Sequence, residues 1–141
     1  MSVAEQGQEM PAGAEAPGEG PAPPSGLHAL SGIAAYYRIA SDPAYLQREL
    51  ALADGEVRPE DILRAARIIG LKARLVTGLT AARLATLPTP SILQLRSGAF
   101  VVFGGANREG QFRLVDPLTR ADRVLSLDEV MDGIEPVAIL V

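Results

Sequence analysis

Three short segments hold side chains whose types and spacing could do chemistry. They are Pro24-Ser25-Gly26-Leu27 at the start of a helical pattern, Gly98-Ala99-Phe100-Val101-Val102 after a tight turn, and Val115-Asp116-Pro117 closing a later strand pattern. Their order and surroundings match nucleophilic catalysis, which needs a nucleophile, a histidine to activate it and a third group to orient that histidine. Here the three positions read Ser25, Ala99 and Asp116, so the base is missing and the nucleophile is a hydroxyl. The chain has no cysteine, which excludes a thiolate nucleophile, disulfides and thiolate zinc sites by count.

Each of these residues also has a plainer reading. Ser25 suits the N-cap of the helix that follows, a role worth about 1 kcal/mol. His28 is the only histidine; three residues along the same helix and without an orienting group, it reads as surface or partly packed rather than as a base. One histidine among scattered carboxylates gives no metal site, and no cofactor motif is present. Asp116 before Pro117 reads as a turn residue that accepts backbone N–H groups over Asp116–Thr119. Gly104-Gly105 lacks a following Gly-Lys-Ser/Thr, so it reads as a bulge or strand end and not as a phosphate loop. Ala99 in place of an imidazole would widen a cleft over an apolar floor at Phe100. The candidate binding residues are therefore Ser25, Leu27, His28, Ala99, Phe100 and Pro117.

Short amphipathic elements must position these groups. Leu27, Leu30, Ile33, Ala34 and Tyr37 recur at helical spacing behind Ser25. A second helix starts at Asp42-Pro43, turns Leu46 and Leu50 inward and stops near Asp54-Gly55; a third runs from Pro59 to Gly70, buries Ile62, Ala66 and Ile69, and pairs Glu60 with Arg64. The period then switches. Leu71, Ala73 and Leu75 alternate with Lys72 and Arg74 as in a strand with one wet face, and a helical turn follows at Thr80–Leu84. Ser91–Arg96 and Ala99–Phe103 flank a two-residue hairpin at Ser97-Gly98, Gln111–Val115 forms the next strand, and Val137–Val141 the last. Ser126 and Glu129 have capping-box spacing for a helix to Asp132. Of the aromatics, most are expected in the core, with one or two tyrosines exposed. Helices first and then an antiparallel sheet predict an α+β fold.

A length of 141 residues suits one domain, at 48% hydrophobic and 21% charged. Residues 1–24 are rich in Ala, Gly, Pro and Glu and read as a disordered arm, leaving 25–141 as the folded part. Four of the 17 acids, Glu5, Glu9, Glu15 and Glu19, lie in the arm, which leaves 13 acids against 13 bases. A neutral fold without a basic stripe gives nucleic acid or an anionic membrane little to attract it. No apolar run reaches the ~20 residues of a membrane span, nor does the N-terminus read as a secretory signal, so the chain is expected to be soluble.

The segments Ser25-Gly26-Leu27-His28-Ala29-Leu30, Ile62-Leu63-Arg64-Ala65-Ala66 leading to Gly70-Leu71-Lys72-Ala73, Leu87-Pro88, Gly98-Ala99-Phe100-Val101-Val102 and Asp116-Pro117 come in a specific order. Together they resemble the papain-like cysteine peptidase domain at the N-terminus of bacterial ABC exporters, over about 25–141. The resemblance implies the papain-like fold. It also implies a site: active members cut double-glycine leader peptides from exported bacteriocins, with the nucleophile at the position of Ser25, the histidine at Ala99, the aspartate at Asp116 and an oxyanion glutamine at Glu19. Only the aspartate matches. The departure resembles the inactive, peptidase-like domains of type I secretion exporters for RTX toxins, lipases and adhesins. That implies no enzyme activity, with ATP hydrolysis left to transporter parts outside this chain. The implied role is docking of an unfolded exported protein, through its C-terminal or RTX region, at the cytoplasmic face of the inner membrane beside the rest of the transporter. Two alternatives stand: a residual leader peptidase using Ser25 with His28 or water as base, and a regulatory domain that contacts the transporter itself.

Overall fold

The computed structural model describes residues 25–52 and 57–141. The arm, with Glu19, and the stop of the second helical pattern at Asp54-Gly55 lie outside the described residues. Three helices come first: α1 (Ser25–Tyr36), α2 (Pro43–Glu49) and α3 (Pro59–Ile68). Asp42 caps α2 through its carboxylate and the Ala44 N–H, 3.1 Å apart, with Pro43 at the first turn. In α3 the buried Asp61 accepts from the Arg58 N–H at 2.9 Å and from the Arg64 guanidinium at 3.1 Å. The partner of Arg64 is thus Asp61 and not Glu60, because the i,i+3 carboxylate is fixed by its backbone bond at the helix start. Gly70 follows α3 at φ 84°, a left-handed position that glycine adopts without cost.

Strands β1 (Arg74–Thr77), β2 (Ser91–Leu95), β3 (Phe100–Ala106), β4 (Phe112–Val115), β5 (Asp122–Leu125) and β6 (Ile134–Leu140) make one antiparallel sheet, in the order β1-β6-β2-β3-β4-β5. Helix α4 (Ala81–Ala85) is capped by Thr80, and α5 (Leu127–Gly133) by the Ser126–Glu129 box. The hairpin between β2 and β3 differs from the two-residue expectation. Leu95 N–H donates to Ala99 O and Gly98 N–H to Leu95 O, giving a three-residue loop with Gly98 at φ 96°. β5 went unread in the sequence because its four residues are almost entirely exposed and show no alternation.

Alternation along the central strands sends neighbouring residues to opposite faces of the sheet. Ile92, Phe100 and Ile139 pack under α1, α2 and α3 with Leu27, Leu30, Leu46 and Ile62. Leu93, Val101, Phe103, Leu114 and Ala138 pack on the other face with Leu84 and Val130, from α4 and α5. The three phenylalanines are at most 3% exposed, whereas all three tyrosines are exposed, Tyr36 at 75%. Tyr37 therefore does not extend the buried stripe of α1; that stripe ends at Ala34. Among the described residues no helix is long and apolar enough to cross a membrane.

Candidate functional site

Helix α1 meets the sheet at its first residue. The Ser25 hydroxyl is buried and accepts a hydrogen bond from the Phe100 N–H at 2.9 Å, linking positions 75 apart in sequence. This bond takes the place of the expected N-cap role: the oxygen serves β3 and not the end of its own helix. Gly26 makes the approach possible, since a Cβ there would lie 2.7 Å from Ile62 Cδ1 and 3.0 Å from Phe100 Cδ2. The sequence puts a glycine where helix, helix and strand converge. Leu27 is fully buried in the core beneath.

Asp116 sits just past β4, one residue beyond the Val102–Val115 pair. Its Oδ1 accepts the Leu118 and Thr119 N–H groups at 2.8 and 3.1 Å, and its carbonyl accepts the Arg120 N–H at 2.8 Å. The carboxylate is thus occupied in building the turn. Ala99 is exposed and lines neither of the two cavities described below, and Phe100 is buried in the core rather than flooring a groove. Among the described residues no hydrogen bond joins Ser25, Ala99 and Asp116 to one another.

The open space lies to one side of these positions. A cleft of about 330 Å³ runs between the exposed side of α1 and the sheet. From the helix it is lined by His28, Gly32, Ile33 and Tyr36, from the sheet by Val102, Phe103, Gly104, Arg113 and Val115, and from the loops by Thr89-Pro90, Pro117 and Arg120. Of the sequence candidates, it gathers His28 and Pro117 and leaves out Ser25, Leu27, Ala99 and Phe100. Gly32 and Tyr36 follow His28 at four-residue steps, a helical stripe legible in the sequence. Arg113 was also within reach, since it alternates with the buried Phe112 and Leu114. Arg120 had no such signal.

Arg113 lays its aliphatic stem across Gly104, whose missing Cβ would lie 3.3 Å from Arg113 Cδ, and pairs with Asp122 at 3.0 Å. The strand bulges between Phe103 and Ala106, with Gly105 at φ 90°, as the Gly104-Gly105 pair led one to expect.

A second cavity, about 370 Å³, lies on the α5 side and includes Asp116, Arg96, Arg123 and Glu129. Glu129 titrates below the ordinary carboxylate range because the Ser126 N–H, then the Ser126 hydroxyl and more weakly Arg123, stabilise its charge. Among the described residues no group of three or more His, Asp or Glu could hold a metal ion.

Three helices on one face of an antiparallel sheet, the first starting against β3, with two short helices on the other face, fit the papain-like peptidase fold. The chain belongs to the Peptidase C39 family, whose model matches residues 22–141. Solved structures agree in fold. A double-glycine motif protease from an AMS/PCAT transporter, in complex with its leader peptide, superposes with a TM-score of 0.72 at 20% identity, covering 82% of this chain and 81% of the other. The peptidase domain of Streptococcus ComA, a bi-functional ABC transporter of a quorum-sensing pathway, gives 0.72 at 19%, covering 84% and 94%. The N-terminal peptidase C39-like domain of a toxin secretion ATP-binding protein from Vibrio parahaemolyticus gives 0.66 at 23%, covering 82% and 94%. No curated protein matches the chain.

Family membership corrects one expectation drawn from the sequence. The residues at 25 and 99 led to the expectation of no enzyme, but the family is a peptidase family and its solved relatives include a double-glycine protease. That expectation rested on the side chains at two positions, the hydroxyl of Ser25 and the methyl of Ala99.

Proposed function

We propose that this chain is the substrate-recognition domain of an ABC exporter and that it holds an exported polypeptide in extended, unfolded form, such as the C-terminal segment of an RTX-type protein, in the cleft beside α1. The observation that supports this is the cleft itself: it lies between the helix of Ser25 and the turn that follows Asp116, and its lining combines the apolar Ile33, Val102 and Val115 with the exposed Tyr36 and with His28, Arg113 and Arg120. A space of about 330 Å³ suits a few consecutive side chains and not a folded surface. The relatives named above are transporter domains, one of them solved with a leader peptide, which supports an exported chain as the ligand. Affinity should be modest, because ordering an unfolded partner costs about 2–5 kcal/mol of the gross interaction. Position 32 offers the test. A Cβ there would meet nothing within 4 Å, so Gly32→Phe adds a ring on the cleft wall with no clash at its first carbon. It should abolish binding of the unfolded segment in calorimetry and leave the melting temperature unchanged or raised; unchanged affinity would move the binding surface elsewhere.

A second reading starts from the Ser25 hydroxyl, which the Phe100 N–H holds at the start of α1 and which the resemblance sets at the nucleophile position, with His28 or water as base. Incubation with a double-glycine leader peptide tests it. Cleavage that disappears in Ser25→Ala would establish it, and an intact peptide would leave recognition as the domain's contribution.

A further inference from the structure

We propose that the cleft selects an acidic-apolar stretch of polypeptide, one in which carboxylates alternate with aliphatic side chains. The proposal rests on the recognition reading above and adds the chemistry of its ligand. Three residues whose side chains can donate to an anion line the cleft: Arg113, Arg120 and His28, whose imidazole carries an N–H in either tautomer. No aspartate or glutamate lines it. Asp122 partly neutralises Arg113 from β5, outside the lining, while Arg120 has no ion pair among the described residues. Between these polar groups lie Ile33, Val102, Val115 and the two prolines, which offer apolar surface to a side chain and nothing to a hydrated inorganic anion.

The backbone at Arg120 points the same way. It sits at φ 66°, in the left-handed region that disfavours every residue with a Cβ except, mildly, Asn and Asp. The turn forces it there: Asp116 fixes Leu118, Thr119 and Arg120 through three N–H bonds, and the Thr119 hydroxyl holds Ala121. The turn thus sets Arg120 among the residues that line the cleft, where its side chain is available to an anionic group. Asp116 is then a positioning residue for Arg120 and Pro117.

Fluorescence anisotropy with labelled octapeptides alternating Leu with Glu, Gln or Lys tests the proposal on the full chain and on the variant with Arg113→Gln and Arg120→Gln. The Glu peptide should bind about tenfold tighter than the Gln peptide at low salt, as expected for a charge-assisted pair, and the Lys peptide more weakly than either. In the double variant the Glu and Gln peptides should bind alike. Equal affinity of the parent for Glu and Gln peptides overturns the acidic preference and leaves the recognition reading standing; no binding of any peptide, together with no binding of the unfolded RTX-type segment, overturns both. A Glu preference that survives in the double variant also overturns the proposal, since it would reside elsewhere. A Glu peptide that binds only after Glu5, Glu9, Glu15 and Glu19 are changed to Gln assigns the cleft to the chain's own arm and overturns it too.

Discussion

Replacing Ser25 by alanine removes the acceptor of the Phe100 N–H, which lies at the junction of α1, α3 and β3. Ser25 is 9% exposed and Phe100 3%, so water has little access to the orphaned donor. A buried unsatisfied amide costs about 1–3 kcal/mol, and the lost hydroxyl leaves only a small void, so destabilisation should be about 2 kcal/mol. In urea unfolding with a slope of about 2 kcal/mol/M, the midpoint falls by about 1 M at unchanged slope. Amide exchange at Phe100 should accelerate beyond the global change. Ser25→Asp separates this account from an N-cap role. Aspartate is as good a cap as serine, so a cap role predicts rescue, whereas burial of a carboxylate against Phe100 predicts further loss. Ser31→Ala is the internal control: its hydroxyl has no hydrogen-bond partner among the described residues, and alanine is the better helix former, so stability should hold or rise. A Ser25→Ala midpoint within error of the parent, or rescue by aspartate, would refute the reasoning.

Gly26→Val should destabilise by about 1–3 kcal/mol, because even its Cβ would overlap Ile62 and Phe100; equilibrium unfolding measures it. Arg120→Gly relieves a left-handed backbone and should stabilise the fold by about 1 kcal/mol while weakening binding of the acidic peptide, a trade-off visible by comparing unfolding with anisotropy. Because the carboxyl of Glu129 ionises below its ordinary range when folded, it adds stability above the unfolded value and loses it as pH falls through the folded one; NMR titration should show that value rising toward the ordinary range in Ser126→Ala, with the loss of acid stability shrinking accordingly.

Local chemistry was what the sequence carried best. Asp42, Thr80 and Ser126 cap their helices through bonds two or three residues away, Gly104-Gly105 bulges, and Asp116 folds its own turn, all within a few positions of the residue that signals them. Long-range facts were not legible. That the Ser25 oxygen serves Phe100 follows from packing across 75 positions, and β5 exists because β4 offers it an edge, not because Asp122–Leu125 alternates. The candidate site divides in the same way. His28 and Pro117 do line the cleft, but Ala99 was placed in a groove by analogy with a missing imidazole, and the structure leaves it exposed outside the cleft. Arg120 went unread because Asp116 signals the turn but not where that turn comes to lie against α1 and the sheet.

The central claim is that the cleft beside α1 holds an unfolded exported chain. The direct measurement is amide chemical-shift mapping of the labelled chain on titration with an RTX-type C-terminal segment, calcium-free and unfolded or calcium-loaded and folded. The account predicts saturable shifts at Gly32, Ile33, Tyr36, Val102 and Val115 with the unfolded segment and none with the folded one. Equal shifts with both forms, or shifts confined to the sheet edge around Val124, would contradict it.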